Sequence, residues 1–482
     1  MAQDNLKQKT VSSMFWQFMQ GFGGQFVTFF VGIILARLLT PTDYGVVALA
    51  GMFLAILGTF ASGGLTQAVI QKKETDELDF NTMFVTQLGL SSVIYVVVYF
   101  LSPYFASLFD NDQLVPLIRV MALTMPLGAL GAVQYCVVSR RLMFKWFFYA
   151  STIGLVVSAC IGVWMAYVGY GPWALVGQSM SSTIVNTIVV FCLLDWHPKF
   201  QFSKERFKQL FGEGVKYLGT SFIGTITAQT KDWCLGLKYS PADLAYYNKG
   251  NSLPSMFCNN IDSTIQSVLF PALSQIQDDK ERVRNAISRS IRTSTFVLFP
   301  LLFGLSVTAD KLIPILYSDR WNPSIPFMQV LCICLAIGIM CDVNTQALKA
   351  TGNIGIILKM EFIKKPVMFL TIIGTMLISP LAIAWGILFF NIFVYFVNSY
   401  PNKKIIKYSY REQLKDVGPN FLQATFMAAM VYFVGRIDMN VYALLAIQAV
   451  VGVALYIAMS IVFKNDSFYY ILDFIKEKRR KK

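Results

Sequence analysis

The sequence predicts an all-α, polytopic membrane protein of about fourteen transmembrane helices, and three observations carry that expectation. Only 14% of the 482 residues are charged while 55% are hydrophobic, at a mean hydropathy of +0.54. A soluble chain of this size carries about a quarter charged residues to keep its surface wet. The apolar residues run in blocks long enough to cross a hydrocarbon core, which takes about 20 residues of helix. Lys and Arg gather in alternate loops between those blocks. Backbone polarity in lipid is satisfied only within helices or closed barrels, and long uninterrupted runs, in place of alternating ten-residue segments, select helices.

In chain order the spans are expected near 12–37, 44–70, 82–108, 115–138, 146–169, 173–194, 212–238, 243–273, 292–316, 325–348, 354–378, 380–400, 418–435 and 440–463. Loops on one side hold Lys72 and Lys73; Arg140, Arg141 and Lys145; and Lys199, Lys204, Arg206 and Lys208. The same side continues with Lys280, Arg282, Arg284, Arg289 and Arg292, then Lys403, Lys404, Lys407, Arg411 and Lys415, and the tail ends in a basic run at 478–482. The opposite loops at 109–114 and 169–172 contain neither Lys nor Arg. Basic loops mark the cytoplasmic side, so both termini are expected there, with an even number of spans.

The net charge of +14 is spread through these loops. A nucleic-acid partner would need one contiguous basic face and is not expected. The start, MAQDNLKQKT, is polar and leads into a full-length span, so no cleavable signal peptide is expected. The eight cysteines lie almost entirely in spans. Cys332 and Cys334 share a helix without a second Cys/His pair, which supports neither a zinc site nor a disulfide framework. His197, beside Trp196 and Pro198, reads as a structural or interfacial residue.

A repeat at an offset of 200 residues organises the chain. Residues 35–46 read LARLLTPTDYGV and residues 235–246 read LGLKYSPADLAY; Leu35, Pro41 and Asp43 recur as Leu235, Pro241 and Asp243, and Thr40 as Ser240. Upstream, Phe22 and Gly24 match Phe222 and Gly224. Each copy is a long helix, a Pro-x-Asp turn and another helix, with Pro presetting the turn and Asp suited to cap the second helix. Six spans per copy means both copies enter from the same side, as parallel repeats. The expected division is therefore an N-lobe at 1–200, a C-lobe at 201–415, two further spans within 416–463 without a partner in the repeat, and a basic tail at 464–482. That tail pairs an apolar stretch with a basic end, which suits an interfacial helix on anionic lipid.

The second copy departs from the first where Val31-Gly32 becomes Lys231-Asp232. An ionised side chain within a span costs ~2.5–3.5 kcal/mol on insertion scales and normally faces a partner or a cavity. The pair is thus either a local ion pair or a polar lining. Lys249 lies almost two turns after Asp243, and with Arg37 and Lys231 it forms a candidate positive field near the outer ends of the first helices of both copies. Tyr217, Trp233, Tyr246, Tyr247 and Asn248 fall on the same two helices as Lys231 and Lys249, where an interfacial aromatic belt is the plainer alternative to a ligand contact. Asp232, Asp262 and Asp342 are the acidic candidates for coupling to Na⁺ or H⁺.

Several segments together resemble polysaccharide-export flippases of the Wzx/WzxC type, within the multidrug/oligosaccharidyl-lipid/polysaccharide superfamily. They are ILARLLTPTDYGVVAL, SPADLAYYNKGNSLP, VLFPALSQIQDDKERVRNA and the LKATGN turn, in an order that covers most of the chain. VLFPALSxxQDD is the most specific and the PTDYG turn the most widely shared. The family's usual arginine in its YYxR-like segment stands here as Lys249, which keeps the charge and loses the bidentate fork.

The resemblance implies two six-helix lobes around a central cavity that opens alternately to cytoplasm and periplasm of a bacterial inner membrane. The implied cargo is an oligosaccharide repeat unit on undecaprenyl pyrophosphate, destined for O-antigen, capsule or exopolysaccharide. The fourteen-span count resembles lipid-linked peptidoglycan precursor flippases, whose two extra helices extend a groove for the lipid tail. Arg37, Lys231 and Lys249 are then the cations for the pyrophosphate, and the five aromatic and amide residues the sugar contacts. No cofactor is implied. Partners beyond the cargo are anionic membrane lipids and the polysaccharide polymerase machinery, and the chain is expected to work as a monomer. An ion-coupled multidrug antiporter shares the plan, but cationic drugs favour unpaired carboxylates and the candidates here are mostly basic. A membrane glycosyltransferase or polymerase would need a sizeable outer loop, and these are short.

Overall fold

The computed structural model describes residues 2–480 apart from 73, 142 and 195. Lys73, Lys481 and Lys482 thus lie outside the described residues, as do the side chains of Arg141 and of residues 478–480. Among the described residues every regular element is a helix, and contacts divide the chain into two compact units, Met1–Ala245 and Tyr246–Lys482.

The first unit contains α1 (Ala2–Leu38), α2 (Pro41–Ser62), α3 (Leu65–Gln71), α4 (Glu77–Leu108), α5 (Leu114–Ala122), α6 (Thr124–Arg141), α7 (Phe144–Val168), α8 (Trp173–Leu193) and α9 (Lys204–Lys238). It ends in the first turn of α10 (Pro241–Gln275). The repeated turn motif resolves into one device used twice. Before α2, the Asp43 N–H donates to Thr40 Oγ1 at 3.2 Å while the Asp43 carboxylate accepts the Thr40 N–H at 2.8 Å. Before α10, the Asp243 N–H donates to Ser240 Oγ at 3.2 Å and the Asp243 carboxylate accepts the Ser240 N–H at 3.1 Å. The caps are Thr40 and Ser240, and each Asp is the reciprocating third helical residue of a capping box. Asn440 caps a later helix by a single bond, from the Tyr442 N–H at 3.0 Å, without the reciprocal contact of the other two. It lies in the block that the sequence leaves without a repeat partner.

Although α9 begins the second copy in sequence, it packs on α2, α3 and α4 of the first unit. Phe60 meets Phe222 at a ring separation of 4.8 Å, and Thr59 and Thr225 are joined by a 3.2 Å hydrogen bond. The closest approaches need glycine. A Cβ on Gly64 would fall on the Gly214 carbonyl of α9, and one on Gly45 would fall on the Pro241 backbone. Sequence repetition and packing therefore draw different lines through the chain, at 200 and at 245.

At its basic end this unit is laced by charge. Arg140 donates to the Val69 and Ile70 carbonyls at 2.9 and 3.1 Å, satisfying the exposed end of α3. Lys72 reaches the buried Asp79 at 2.7 Å, and Arg206 reaches Asp76 at 3.0 Å. The Asp79 N–H donated to Asp76 holds that carboxyl below the usual carboxylate range, with Arg206 and Lys72 adding to the effect against partial burial.

The second unit is built on α11 (Lys280–Tyr317), which packs against α12 (Ile325–Ala350), α15 (Tyr410–Val434), α16 (Val441–Val462) and α17 (Asp466–Arg480). A 3₁₀ turn, Asp319–Ser324, leads into α12, and α13 (Ile354–Met376) and α14 (Pro380–Ile405) complete the unit. Amides buried at span depth are costly unless paired, and here they pair with one another. The Asn344 carbonyl oxygen accepts from Asn402 at 2.8 Å and from Gln413 at 3.2 Å. Asn398 donates to Thr345 at 3.0 Å and accepts from the buried Lys364, whose ammonium also lies 2.5 Å from Glu361.

Eleven segments of the described residues are long and apolar enough to cross a membrane. The fourteen spans expected include three others, α9, α10 and α13, of 35, 35 and 23 residues. They are long enough but more polar along their length, with Lys231, Asp232, Lys249, Asp262 and Lys364 among their ionisable residues and amides and hydroxyls throughout α10.

Candidate functional site

The candidate residues sort onto the two units. In the first, Arg37 stands exposed in the last turn of α1, where a cation also answers the partial negative charge of a helix end. Lys231 and Asp232 are mostly buried on α9 and form an ion pair of 2.6 Å with each other, so one contact largely cancels both charges. Trp233 faces apolar neighbours, its ring 5.6 Å from Phe105 and 6.1 Å from Phe109. Its indole N–H is buried and finds no hydrogen-bond acceptor among the described residues. Tyr217 is 16 residues earlier on α9, about 24 Å along a helix rising 1.5 Å per residue. Its hydroxyl meets Gln71, beside a cavity of about 200 Å³ at the α3–α9 seam. Sharing a helix does not bring Tyr217 and Trp233 together.

In the second unit, the opening turns of α10 do converge. The Lys249 ammonium lies 4.4 Å from the centre of the Tyr317 ring and 5.4 Å from that of Trp321. Tyr246 meets Trp321 edge-on at 6.1 Å and the buried Tyr247 meets Phe327 at 5.8 Å. Asn248 is half-buried beside them. The Ser252 and Tyr317 hydroxyl oxygens are 3.4 Å apart. Gly250 makes this approach possible, because a Cβ there would lie 2.9 Å from both the Met328 nitrogen and the Ser324 carbonyl oxygen. Quadrupole attraction holds a cation over such rings, so Lys249 is presented in an aromatic cage. Tyr317 and Trp321 are themselves buried, so the cage is closed around the ammonium.

Asp262 lies half-buried on α10, and Asp342 is exposed on α12.

Tyr317 and Trp321 escaped the sequence reading. They stand at the end of one span and in the loop before the next, four residues apart after Pro314, and that spacing was the available signal. The Asn344–Asn402–Gln413 cluster was also missed, although amides inside apolar blocks announce it.

A family model described as "Polysaccharide biosynthesis protein" matches residues 34–326, more than half of the chain. The chain is 27% identical over 332 residues to the "Succinoglycan biosynthesis transport protein ExoT" of Rhizobium meliloti (strain 1021), covering 69% of this chain and 67% of that protein. It is 23% identical over 431 residues to the "Lipopolysaccharide biosynthesis protein WzxC" of Escherichia coli (strain K12), covering 85% and 84%. Its fold is similar to the solved structure "Lipid II flippase MurJ, inward closed conformation", with a TM-score of 0.75 at 15% identity over 94% of this chain and 99% of that one. Its fold is also similar to "Inward-facing conformation of a multidrug resistance MATE family transporter of the MOP superfamily", with a TM-score of 0.62 at 14% identity over 80% of this chain and 94% of that one.

Proposed function

This chain belongs to the polysaccharide biosynthesis protein family, and from that premise we propose that it is a flippase for lipid-linked oligosaccharides. In this reading it moves undecaprenyl-pyrophosphate-linked repeat units from the cytoplasmic to the periplasmic leaflet by alternating access, for O-antigen, capsule or exopolysaccharide assembly. It makes and breaks no covalent bond. The observation that carries the reading is the family match over residues 34–326, a stretch that contains the charged helices α9 and α10.

Helices α9, α10 and α13 cross the bilayer in this proposal together with the eleven apolar segments, which gives fourteen spans and places both termini in the cytoplasm. Their charge is what disqualifies them as simple lipid-facing helices and what suits them to a polar path. Caged Lys249 is the proposed cation for the pyrophosphate in the second unit and Arg37 the proposed cation in the first, while Lys231, paired with Asp232, serves as polar lining. Half-buried Tyr246 and Asn248 are the proposed sugar contacts beside it, while the polyprenyl tail stays in lipid. Asp262 and Asp342 are the proposed sites of ion coupling. An interior-negative potential favours outward movement of anions by ~2.3 kcal/mol per charge per 100 mV, so a doubly charged head gains several kcal/mol from the potential alone.

The test is transport of a fluorescent undecaprenyl-pyrophosphate oligosaccharide by the full chain in proteoliposomes, with an imposed potential and with cationic dyes as competing substrates. Outward movement that rises with potential and is not displaced by dyes is expected. Transport of the dyes in preference to the lipid-linked sugar would instead make the chain a drug antiporter.

A further inference from the structure

We propose that a single groove between α13 and α14 selectively holds an anionic glycerophospholipid, apart from the residues assigned to the cargo. The groove encloses about 480 Å³. Ile356, Lys359, Met360 and Ile363 form one wall, at the spacing that puts them on one face of α13. Val397, Tyr400, Pro401 and Lys404 share a face of α14 and form the other wall. Phe396 and Tyr410 also line it. The Tyr410 hydroxyl donates to the Phe396 carbonyl at 2.8 Å and their rings stand 5.6 Å apart, which ties the start of α15 to that wall.

Polarity is divided along this one groove. A short turn joins α13 to α14 and the two pack together, so the start of α13 lies beside the end of α14. Lys359 is in the second turn of α13 and Lys404 in the last turn of α14, which puts both ammonium groups at the same end. Ile363 stands about one turn deeper than Lys359, and Phe396 about two turns deeper than Lys404. The Lys404 ammonium lies 5.3 Å from the centre of the Tyr400 ring, a cation–π contact that keeps it at the mouth. No carboxylate lines the groove. Glu361, near Lys359 in sequence, is taken by Lys364 at 2.5 Å and Lys365 at 3.5 Å. Among the described residues neither Lys359 nor Lys404 has a carboxylate within ion-pair distance, and both are exposed. The mouth therefore carries two uncompensated ammonium groups.

Both ends of the groove constrain its occupant. Ile363 and Phe396 are half-exposed, Phe362 and Phe389 on the same two helices are more exposed still, and α14 is long and apolar enough to cross a membrane. An apolar face on a spanning helix meets acyl chains, so the deep part of the occupant is hydrocarbon. Its head must answer two lysines, and basic pockets between spanning helices take anionic lipid heads. A zwitterionic head brings a cation of its own toward the lysines and gives back what its phosphate gains. Soluble phosphate would use the mouth and leave the apolar walls uncovered. An anionic phospholipid satisfies both ends.

Native mass spectrometry of the full chain tests this, with phosphatidylglycerol, phosphatidylcholine, undecaprenyl phosphate and inorganic phosphate supplied in turn. Phosphatidylglycerol is expected to be retained about tenfold better than phosphatidylcholine. The double variant Lys359→Gln/Lys404→Gln should erase that preference with little change in melting temperature, because both side chains are exposed. A second double variant, Lys403→Gln/Lys407→Gln, removes two exposed lysines of the same end that do not line the groove, and should keep the preference. Equal retention of the two phospholipids by the wild type overturns the proposal, as does a preference that survives in Lys359→Gln/Lys404→Gln. Equal loss in both double variants assigns the selectivity to a diffuse basic surface and overturns the groove. Tighter retention of undecaprenyl phosphate than of phosphatidylglycerol assigns the groove to the carrier and overturns the phospholipid; binding of inorganic phosphate alone, with no lipid retained, overturns any lipid. None of these readouts depends on transport, so the flippase reading can fail while this one stands.

Discussion

The Lys249 ammonium sits 4.4 Å from the centre of the Tyr317 ring, joining α10 to the end of α11. Tyr317→Leu removes a cation–π contact of about 0.5–2 kcal/mol and should lower the melting temperature of the purified protein by a few degrees. Lys249→Met removes the same contact, so it should lower melting by a similar amount, and it should slow transport about ten- to a hundredfold, the loss expected for one charged contact to phosphate. Normal transport in Lys249→Met would remove this residue from the path.

The Lys231–Asp232 pair gives a sharper test. Each single neutral substitution, Lys231→Met or Asp232→Asn, removes the 2.6 Å contact from one side, and the double variant removes both partners. A double-mutant cycle read by thermal or chemical unfolding should return a coupling of about 0.5–3 kcal/mol. Strictly additive effects would show that the two charges are solvated separately, and would return Lys231 to candidacy as an unshared cation.

The duplicated capping boxes should behave alike. Thr40→Ala and Ser240→Ala are each expected to cost about 0.5–2 kcal/mol, the usual worth of a lost N-cap, measured by thermal melting. A large effect at one turn and none at the other would break the structural equivalence of the two copies.

Asp76 sets a pH dependence. Its carboxyl is held below the ordinary value in the folded chain, so its contribution to stability is complete above the unfolded pKa of about 3.9 and is lost as pH falls through the lower, folded value. The melting difference between the wild type and Asp76→Ala should therefore be level from about pH 5 to 8 and shrink below about pH 4. A gap that widens on acidification contradicts the sign.

Much of the fold was legible because its signals are local. Apolar block length marks most helices, and TPTD and SPAD announce their capping boxes directly. Orientation within a helix is not local. Nothing in the residues around Trp233 says that its ring meets Phe105 and Phe109, because that depends on the rotation of α9 against α4. Tyr217 and Trp233 share one helix but stand about 24 Å apart along it. The Lys249 cage needed residues 68 and 72 positions downstream in sequence, brought in by α11 and the 3₁₀ turn. Hydropathy also undervalues the helices that matter most to the proposed path, since the charges that qualify them for it lower their apolar score.

Glycine contacts such as Gly64 against Gly214 and Gly45 against Pro241 join helices without a side chain on the glycine side. Ordering a long side chain at an interface costs up to about 2 kcal/mol in lost rotamers each time the interface forms. Glycine has no rotamers to lose. Where two helices must meet and part in every cycle of work, such a seam closes without freezing side chains and opens without releasing them, which makes it an interface of low entropic hysteresis.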